Sequence, residues 1–288
     1  MYWILFSFIT AISESLKDVF SKKSLRKIDE YIVAWSLRFF SLPFLLPLLF
    51  FIDVPSLNQS FYLMLLLSGS LNILATILYM KAIKESDLSS TVPFVAFTPL
   101  FLLVISPFVL NEFPGVFGFI GVLLIIFGSY ILNIKQSSDG LLKPFKSILK
   151  ERGPRLMLFV ALIWSISSSF DKIGVQNSSP IFWTIAMNSF ISIVMFPLVV
   201  YKSSKIFLQL KNNFKKLLPI GIFSSLTLVS QMTAINMTLV TNVISIKRNS
   251  SIFSVLFGYL IFREKNIKNR LLGAIIMIAG VVFITLFD

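Results

Sequence analysis

The chain has 288 residues, of which 56% are hydrophobic, and it contains neither Cys nor His. So large an apolar fraction excludes an ordinary soluble domain, and the lack of Cys and His removes disulfides, Fe–S clusters and the most common metal ligands. The formal net charge of +13 could suit a nucleic-acid partner, but the cations are distributed along the chain as they are in membrane proteins.

Ten apolar runs of roughly 20 residues follow one another along the chain, and each is long enough to cross the ~30 Å hydrocarbon core of a bilayer as a helix. Such runs must be helical because lipid offers no hydrogen-bond partner to an exposed backbone. The sequence therefore predicts an all-α polytopic membrane protein. Its ten transmembrane helices are expected at residues 2–20, 31–51, 61–80, 91–110, 114–134, 156–174, 181–201, 217–236, 241–262 and 270–287.

Basic residues mark one side of the membrane. The loops after odd-numbered helices hold 21 of the 26 Lys and Arg residues, and the loops after even-numbered helices hold none. By the positive-inside rule the basic loops are cytoplasmic, which predicts an integral, multi-pass plasma (inner) membrane protein with both termini outside. These loops would lie beside anionic membrane lipids, so no nucleic-acid partner is expected. The remaining five cations lie within predicted helices: Lys17, Arg38, Lys172, Lys247 and Arg248.

The first predicted helix carries a carboxylate near mid-membrane. Glu14 lies eight residues from Lys22 at the basic end of the helix, or ~12 Å at a rise of about 1.5 Å per residue. Lys17 and Asp18 follow at spacings that share a helix face with Glu14. Two interpretations are open: an ion pair with Lys17 that neutralises Glu14, or a proton-coupling carboxylate.

The second predicted helix contains Arg38, whose approximate counterpart in the seventh helix is Asn188. The two could line opposite ends of one translocation pathway, although snorkelling of Arg38 to the surface fits equally well. Asp171 and Lys172, near the outer end of the sixth helix, are expected to form a local ion pair. Further polar and aromatic candidates for substrate contact lie within other predicted helices: Asn72, Tyr79, Trp164, Gln231 and Asn249. For Trp and Tyr near helix ends, anchoring at the membrane interface is the alternative.

The ninth predicted helix places Lys247 and Arg248 roughly 9–10 Å below the outer surface. Three interpretations are open: snorkelling, a salt bridge to Glu14 or Asp171, or a cationic patch that binds an anionic group of a substrate. In the other half of the chain the corresponding positions hold Val and Ala at 95 and 96. The two charges are therefore not a requirement of the scaffold, which favours a role in function.

An internal repeat relates the two halves of the chain. A shift of 152 residues aligns 66–131 with 218–283 without a gap. Each unit holds five predicted helices, an odd number, so the second unit must cross the membrane in the opposite direction. We therefore expect two inverted five-helix repeats, residues 1–134 and 156–288, joined by a basic cytoplasmic linker at 135–155. The residues that coincide include one acid and two glycines in each half: Glu112 with Glu264, Gly121 with Gly273, and Gly128 with Gly280.

Two segments, LNEFPGVFGFIGVLLIIFGSYIL and IFREKNIKNRLLGAIIMIAGVVFI, resemble the signature that closes each half of EamA-type transporters of the drug/metabolite transporter superfamily. In that signature a Glu ends the fourth helix and two glycines lie seven residues apart in the fifth. KAIKESDLSSTVPFVAFTPLF is similar to the preceding region of the same family. The resemblance implies a ten-helix transporter of small organic solutes with two-fold pseudosymmetry. Small multidrug-resistance proteins, distant relatives in the superfamily, carry a Glu in their first helix that Glu14 resembles.

The signature residues also have a local physical interpretation. Glycines two turns apart on one helix face permit close approach of another helix, and substrate contact is the alternative at these positions. The two glutamates are expected at helix ends, where each caps the helix or pairs with nearby amides.

The sequence favours a secondary active transporter that moves a small organic metabolite across the plasma membrane by alternating access, an arrangement typical of inverted repeats. The intramembrane cations favour an anionic or zwitterionic substrate such as an amino acid, and Glu14 suggests proton coupling. No Walker A loop is present, so ATP is not the direct energy source. A lipid or lipid-linked sugar flippase of the same fold is the alternative. An intramembrane enzyme is least favoured, since there is no D-x-x-D pair and no His. No catalytic residue, cofactor or metal site is predicted, and we expect a monomer or homodimer.

Overall fold

The computed structural model describes residues 2–85, 94–133, 152–203, 205–253 and 268–286. Within these ranges every regular element is helical. Glu264, most of the linker 135–155 and the second half of the ninth predicted helix lie outside the described residues. In chain order the α-helices are α1 (Tyr2–Leu25), α2 (Glu30–Phe39), α3 (Leu42–Leu45), α4 (Gln59–Glu85), α5 (Thr98–Leu110), α6 (Val116–Asn133), α7 (Arg152–Gln176), α8 (Pro180–Lys202), α9 (Ile206–Met237), α10 (Val240–Lys247) and α11 (Lys268–Leu286), with a 3₁₀-helix at Leu46–Phe51.

The helical segments are those of an integral, multi-pass membrane protein. The helix α1 has 24 residues but carries three charged residues near its middle, which lower its apolarity. Three shorter helices are also apolar: Thr98–Leu110, Val116–Ile131 and Leu272–Leu286. Five segments of the described chain are long and apolar enough to cross a membrane: Glu30–Phe51, Gln59–Glu85, Arg152–Gln176, Pro180–Lys202 and Ile206–Met237.

The second predicted helix is interrupted. The helix α2 ends at Phe39, and α3 and the 3₁₀-helix complete the segment. Pro43 and Pro47 explain the interruption, because proline lacks a backbone N–H and its ring clashes with the preceding turn. The predicted span at 31–51 is thus present as Glu30–Phe51, but it is not one continuous helix.

The fourth and ninth predicted helices break at corresponding positions. Ala96 and Phe97 form a turn before α5, and Arg248 and Asn249 form a turn after α10, beyond which helical turns resume at 250–253. The shift of 152 residues that relates the two halves superposes these two turns. The sequence predicted continuous helices at both places. Interrupted helices near the membrane midplane are typical of substrate sites in transporters.

The helices α6 and α11 pack closely through their glycines. A Cβ added to Gly121 would lie 2.6 Å from the carbonyl oxygen of Gly280, and one added to Gly128 would lie 2.7 Å from that of Gly273. No side chain larger than hydrogen fits at these crossing points. The residue numbers rise along one helix as they fall along the other, so the two helices are antiparallel.

The helices α5 and α10 are antiparallel as well. Arg248 Nη2, at the end of α10, donates to Thr98 Oγ1 (2.9 Å) at the start of α5. The hydroxyl groups of Ser106 and Thr241 lie 3.2 Å apart, near the end of α5 and the start of α10. Elsewhere α1 packs mainly on α9, and α4 packs mainly on α7. Each half of the chain thus contacts the other half along most of its length.

The outer surface and the interior have the polarity expected in a bilayer. Large apolar side chains such as Phe108, Phe127 and Ile193 are mostly exposed. Many Ser and Thr side chains and several charged ones are buried instead. Lipid surrounds the apolar surface, and the polar groups converge between the helices.

Candidate substrate cavity

A central cavity lies between α1, α2, α4, α7, α9 and α10, so both halves of the chain contribute to its wall. The cavity volume is about 60 Å³, which is room for several water molecules. Nine of the residues that the sequence analysis assigned to the translocation pathway line it: Glu14, Lys17, Arg38, Asn72, Tyr79, Trp164, Gln231, Lys247 and Arg248.

The wall carries more positive than negative charge. An ionised side chain inside a membrane is costly unless it is paired or solvated, and this excess of positive charge suits a ligand that brings negative charge. Four cations and two acids line the cavity: Lys17, Arg38, Lys247 and Arg248, with Glu14 and Asp171.

Glu14 contacts two ammonium groups. Its Oε2 lies 2.6 Å from Lys17 Nζ and 3.6 Å from Lys247 Nζ. Lys247 also donates to Gln231 Oε1 (2.8 Å), and Asp18 lies 3.9 Å from Lys17. In this structure Glu14 is therefore ion-paired, and its cluster joins α1, α9 and α10 around one end of the cavity.

Arg248 contacts a different part of the wall from Lys247. Its Cζ lies 5.9 Å from the centroid of the Trp164 ring, and the Trp164 and Tyr79 rings lie 5.1 Å apart. The residue is 5% exposed, and its Nε has no hydrogen-bond partner among the described residues. Lys247 and Arg248 both point inward, so the snorkelling interpretation was wrong for this pair. The unsatisfied Nε–H can bind an acceptor atom of a ligand.

Arg38 lines the cavity, whereas its predicted counterpart Asn188 does not. Arg38 is 9% exposed, and its Nε also lacks a partner in the part of the chain that the structure describes. Asn188 donates to the Thr184 carbonyl oxygen (2.7 Å) and accepts from Ser41 Oγ (3.2 Å), which holds the start of α3 against α8. Asn249 is likewise outside the wall, and its side chain donates to a backbone carbonyl of α10 (2.9 Å).

Asp171 is a cavity residue that the sequence analysis missed. The expected ion pair with Lys172 was wrong: Asp171 Oδ1 accepts hydrogen bonds from Ser68 Oγ (2.6 Å) and Trp183 Nε1 (3.2 Å). Adjacent residues of a helix project about 100° apart. From this angle alone, the sequence could have predicted that Asp171 and Lys172 face different neighbours.

Lys172 points away from the cavity, toward the end of α5. It pairs with Glu112 and donates to the Thr238 carbonyl oxygen (2.7 Å). Glu112 Oε2 also accepts from the backbone N–H of Val240 (2.9 Å), the first residue of α10, where a negative charge is favoured by the helix dipole. This cluster ties α5, α7 and the connection between α9 and α10 together.

Comparison with known proteins gives a family and a fold. A model of the EamA-like transporter family matches residues 1–134 and 152–286. One crystal structure of a protein superposes on this chain with a TM-score of 0.76 and covers 99% of this chain and 96% of its own. The two sequences are 12% identical, so this likeness concerns the fold alone. No curated protein matches the sequence.

Proposed function

This chain belongs to the EamA-like transporter family, and from that membership we propose that it is a secondary active transporter of a small anionic or zwitterionic organic metabolite. It moves its substrate across the plasma membrane by alternating access. The central cavity carries the proposal, because its wall holds four cations and two acids within segments that lipid would surround. Membrane proteins retain buried charges of this kind where they form an ion or substrate pathway.

The cations indicate how an anion would be held. Arg38 and Arg248 each have a buried Nε–H that finds no partner within the described ranges, and a guanidinium group binds carboxylate or phosphate through parallel hydrogen bonds. The ring of Trp164 offers an apolar surface beside Arg248. A zwitterion such as an amino acid would direct its ammonium group toward Glu14 or Asp171.

The proposed architecture consists of two inverted repeats, residues 1–134 and 156–288, with 135–155 as the cytoplasmic linker. The antiparallel contacts of α5 with α10 and of α6 with α11 support it. The helices α5 and α10 belong to the fourth and ninth predicted spans, and α6 and α11 to the fifth and tenth, and these counterpart spans would run parallel if both units had one orientation. The basic loops would face the cytoplasm and both termini the outside. Rocking of one unit against the other would open the cavity to each side in turn.

The substrate class is tested by thermal shift on the purified protein with amino acids, dicarboxylates, sugar phosphates and nucleotides. A ligand at about 100 times its Kd stabilises the protein by about 2.7 kcal/mol. We expect Lys247→Ala and Arg248→Ala to lose most of the shift, whereas Lys216→Ala, which removes an exposed lysine outside the cavity, keeps it. If both cavity variants show the same ligand-induced thermal shift as the wild type, Lys247 and Arg248 do not form the substrate site. A panel in which no anion or zwitterion gives a shift would contradict the substrate class.

Uptake into proteoliposomes separates transport from binding alone. The compound that gives the largest thermal shift is expected to accumulate in vesicles that contain the wild-type protein and not in vesicles that contain Arg248→Ala. Translocation of a fluorescent phospholipid, without uptake of any compound in the panel, would instead support the flippase alternative.

A further inference from the structure

Asp171 is a buried acid without a contacting cation among the described residues. It is 4% exposed, and its Oδ1 is held by a hydroxyl group and an indole N–H. Glu14, the other acid of the wall, lies within 4 Å of two ammonium groups. A contacting cation favours the ionised form of a carboxylate, whereas burial without a contacting cation favours the protonated form.

Arg38 is the cation best placed to respond to the charge of Asp171. It makes no ion pair within the part of the chain that the structure describes, and its Nε is buried without a partner. It lines the same cavity as the carboxylates of Asp171 and Glu14, and Glu14 is already paired with Lys17 and Lys247. Attraction between opposite charges extends beyond direct contact when water is largely excluded.

Among the described residues, the side chains that bond directly to Asp171 are neutral. The direct partners are Ser68 of α4 and Trp183 of α8, and Lys172, next in sequence, is occupied by Glu112. The residues that α9 contributes to the wall are uncharged. The titratable groups that share the wall with Asp171 are Glu14 and Lys17 of α1, Arg38 of α2, Tyr79 of α4, and Lys247 and Arg248 at the end of α10.

We propose that Asp171, rather than Glu14, is the proton-binding acid of this transporter, and that Asp171 and an anionic group of the substrate compete for Arg38. This rests on the function proposed above. When Asp171 is ionised, its charge offsets that of Arg38 and weakens binding of the anion. When Asp171 takes up a proton, Arg38 is left uncompensated and binds the anion. Proton and anion therefore bind together and cross the membrane in the same direction.

The coupling is reciprocal by linkage. If protonation of Asp171 strengthens anion binding by a given factor, anion binding strengthens protonation by the same factor. The two ligands meet in one cavity, so no distant conformational signal is required. Glu14 then has a different role from Asp171: it stays ionised and keeps Lys17 and Lys247 in position.

Infrared spectroscopy of the reconstituted protein tests the proton site without any substrate. The C=O band of a protonated carboxyl group shielded from water is expected to appear on acidification of the wild type. Asp171→Asn should lose the band, and this variant keeps an oxygen that accepts the bonds from Ser68 and Trp183, so folding is preserved. Glu14→Gln, which removes the other acid of the wall, should keep the band. Any other pattern, including a band that survives in Asp171→Asn, would overturn the assignment.

The role of Arg38 is tested with the same band. In Arg38→Gln the band should persist to higher pH, since a cation that favours the ionised form is gone, whereas Lys216→Gln should match the wild type. Coinciding titrations of Arg38→Gln and wild type would overturn the competition. The anion of the panel that gives the largest thermal shift should increase the intensity of the C=O band at fixed pH in the wild type and not in Arg38→Gln. If the anion does not increase this band in the wild type, Asp171 and the anion do not compete for Arg38. If no panel anion binds, the transport proposal fails, and the infrared results on the proton site stand on their own.

Discussion

Replacing Glu14 with Gln should destabilise the protein far more than the same replacement at Glu30. Glu14 has a side chain that is 4% exposed, and it pairs with Lys17 at 2.6 Å and Lys247 at 3.6 Å. Glu30 pairs with Lys84, whose side chain is 46% exposed. Both replacements remove one negative charge and keep nearly the same shape, so the two sites differ chiefly in burial.

The expected magnitudes follow from that difference. Removal of one partner from a buried ion pair costs about 3–5 kcal/mol, because the remaining charge is buried and uncompensated. In Glu14→Gln, Lys17 keeps Asp18 at 3.9 Å and Lys247 keeps Gln231 at 2.8 Å. These contacts place the expected loss near the lower end, at about 3 kcal/mol. A pair with an exposed partner contributes about 0–1 kcal/mol, which is the loss expected for Glu30→Gln.

The free energy of unfolding, measured by chemical denaturation in detergent, decides the comparison. The double variant Glu14→Gln with Lys247→Met removes both charges of the longer contact. It should be less destabilised than the sum of the single variants by at least about 0.5 kcal/mol, since contacting residues couple. Equal losses at Glu14 and Glu30, or strictly additive effects in the double variant, would refute the view that Glu14 lies in a shielded and coupled charge cluster.

Two further predictions concern packing and the cluster beyond the cavity. Gly128→Val should destabilise the protein by about 1–3 kcal/mol through overpacking, because even a Cβ would lie 2.7 Å from the Gly273 carbonyl oxygen; Phe127→Leu, on the outward face, should leave the Tm nearly unchanged. Glu112→Gln should cost about 3 kcal/mol, because Lys172 would be buried without its acid. A wild-type Tm in Gly128→Val or Glu112→Gln would contradict the corresponding contact.

Some of the charged cavity residues could be predicted from the sequence, and one could not. Glu14, Lys247 and Arg248 stand out in sequence because each interrupts an apolar run, and the structure brings all three to one cavity wall. Asp171 gives no such signal, since Lys172 beside it suggests a local pair. Its hydrogen-bond partners, among them Ser68, lie on other helices. The sequence of one helix does not determine how that helix is rotated about its axis against its neighbours.

The sequence by itself determined the class of the protein, because the length and apolarity of a membrane-spanning helix are local properties of the chain. It also predicted the internal repeat, which follows from comparison of the chain with itself. Only the tertiary structure decided the pairing of Glu14 with Lys247 and the hydrogen bonds of Asp171. It also revealed the matching breaks at Ala96 and Arg248. These features depend on how distant helices are rotated and placed against one another, and that arrangement results from packing of the whole chain rather than from any one segment.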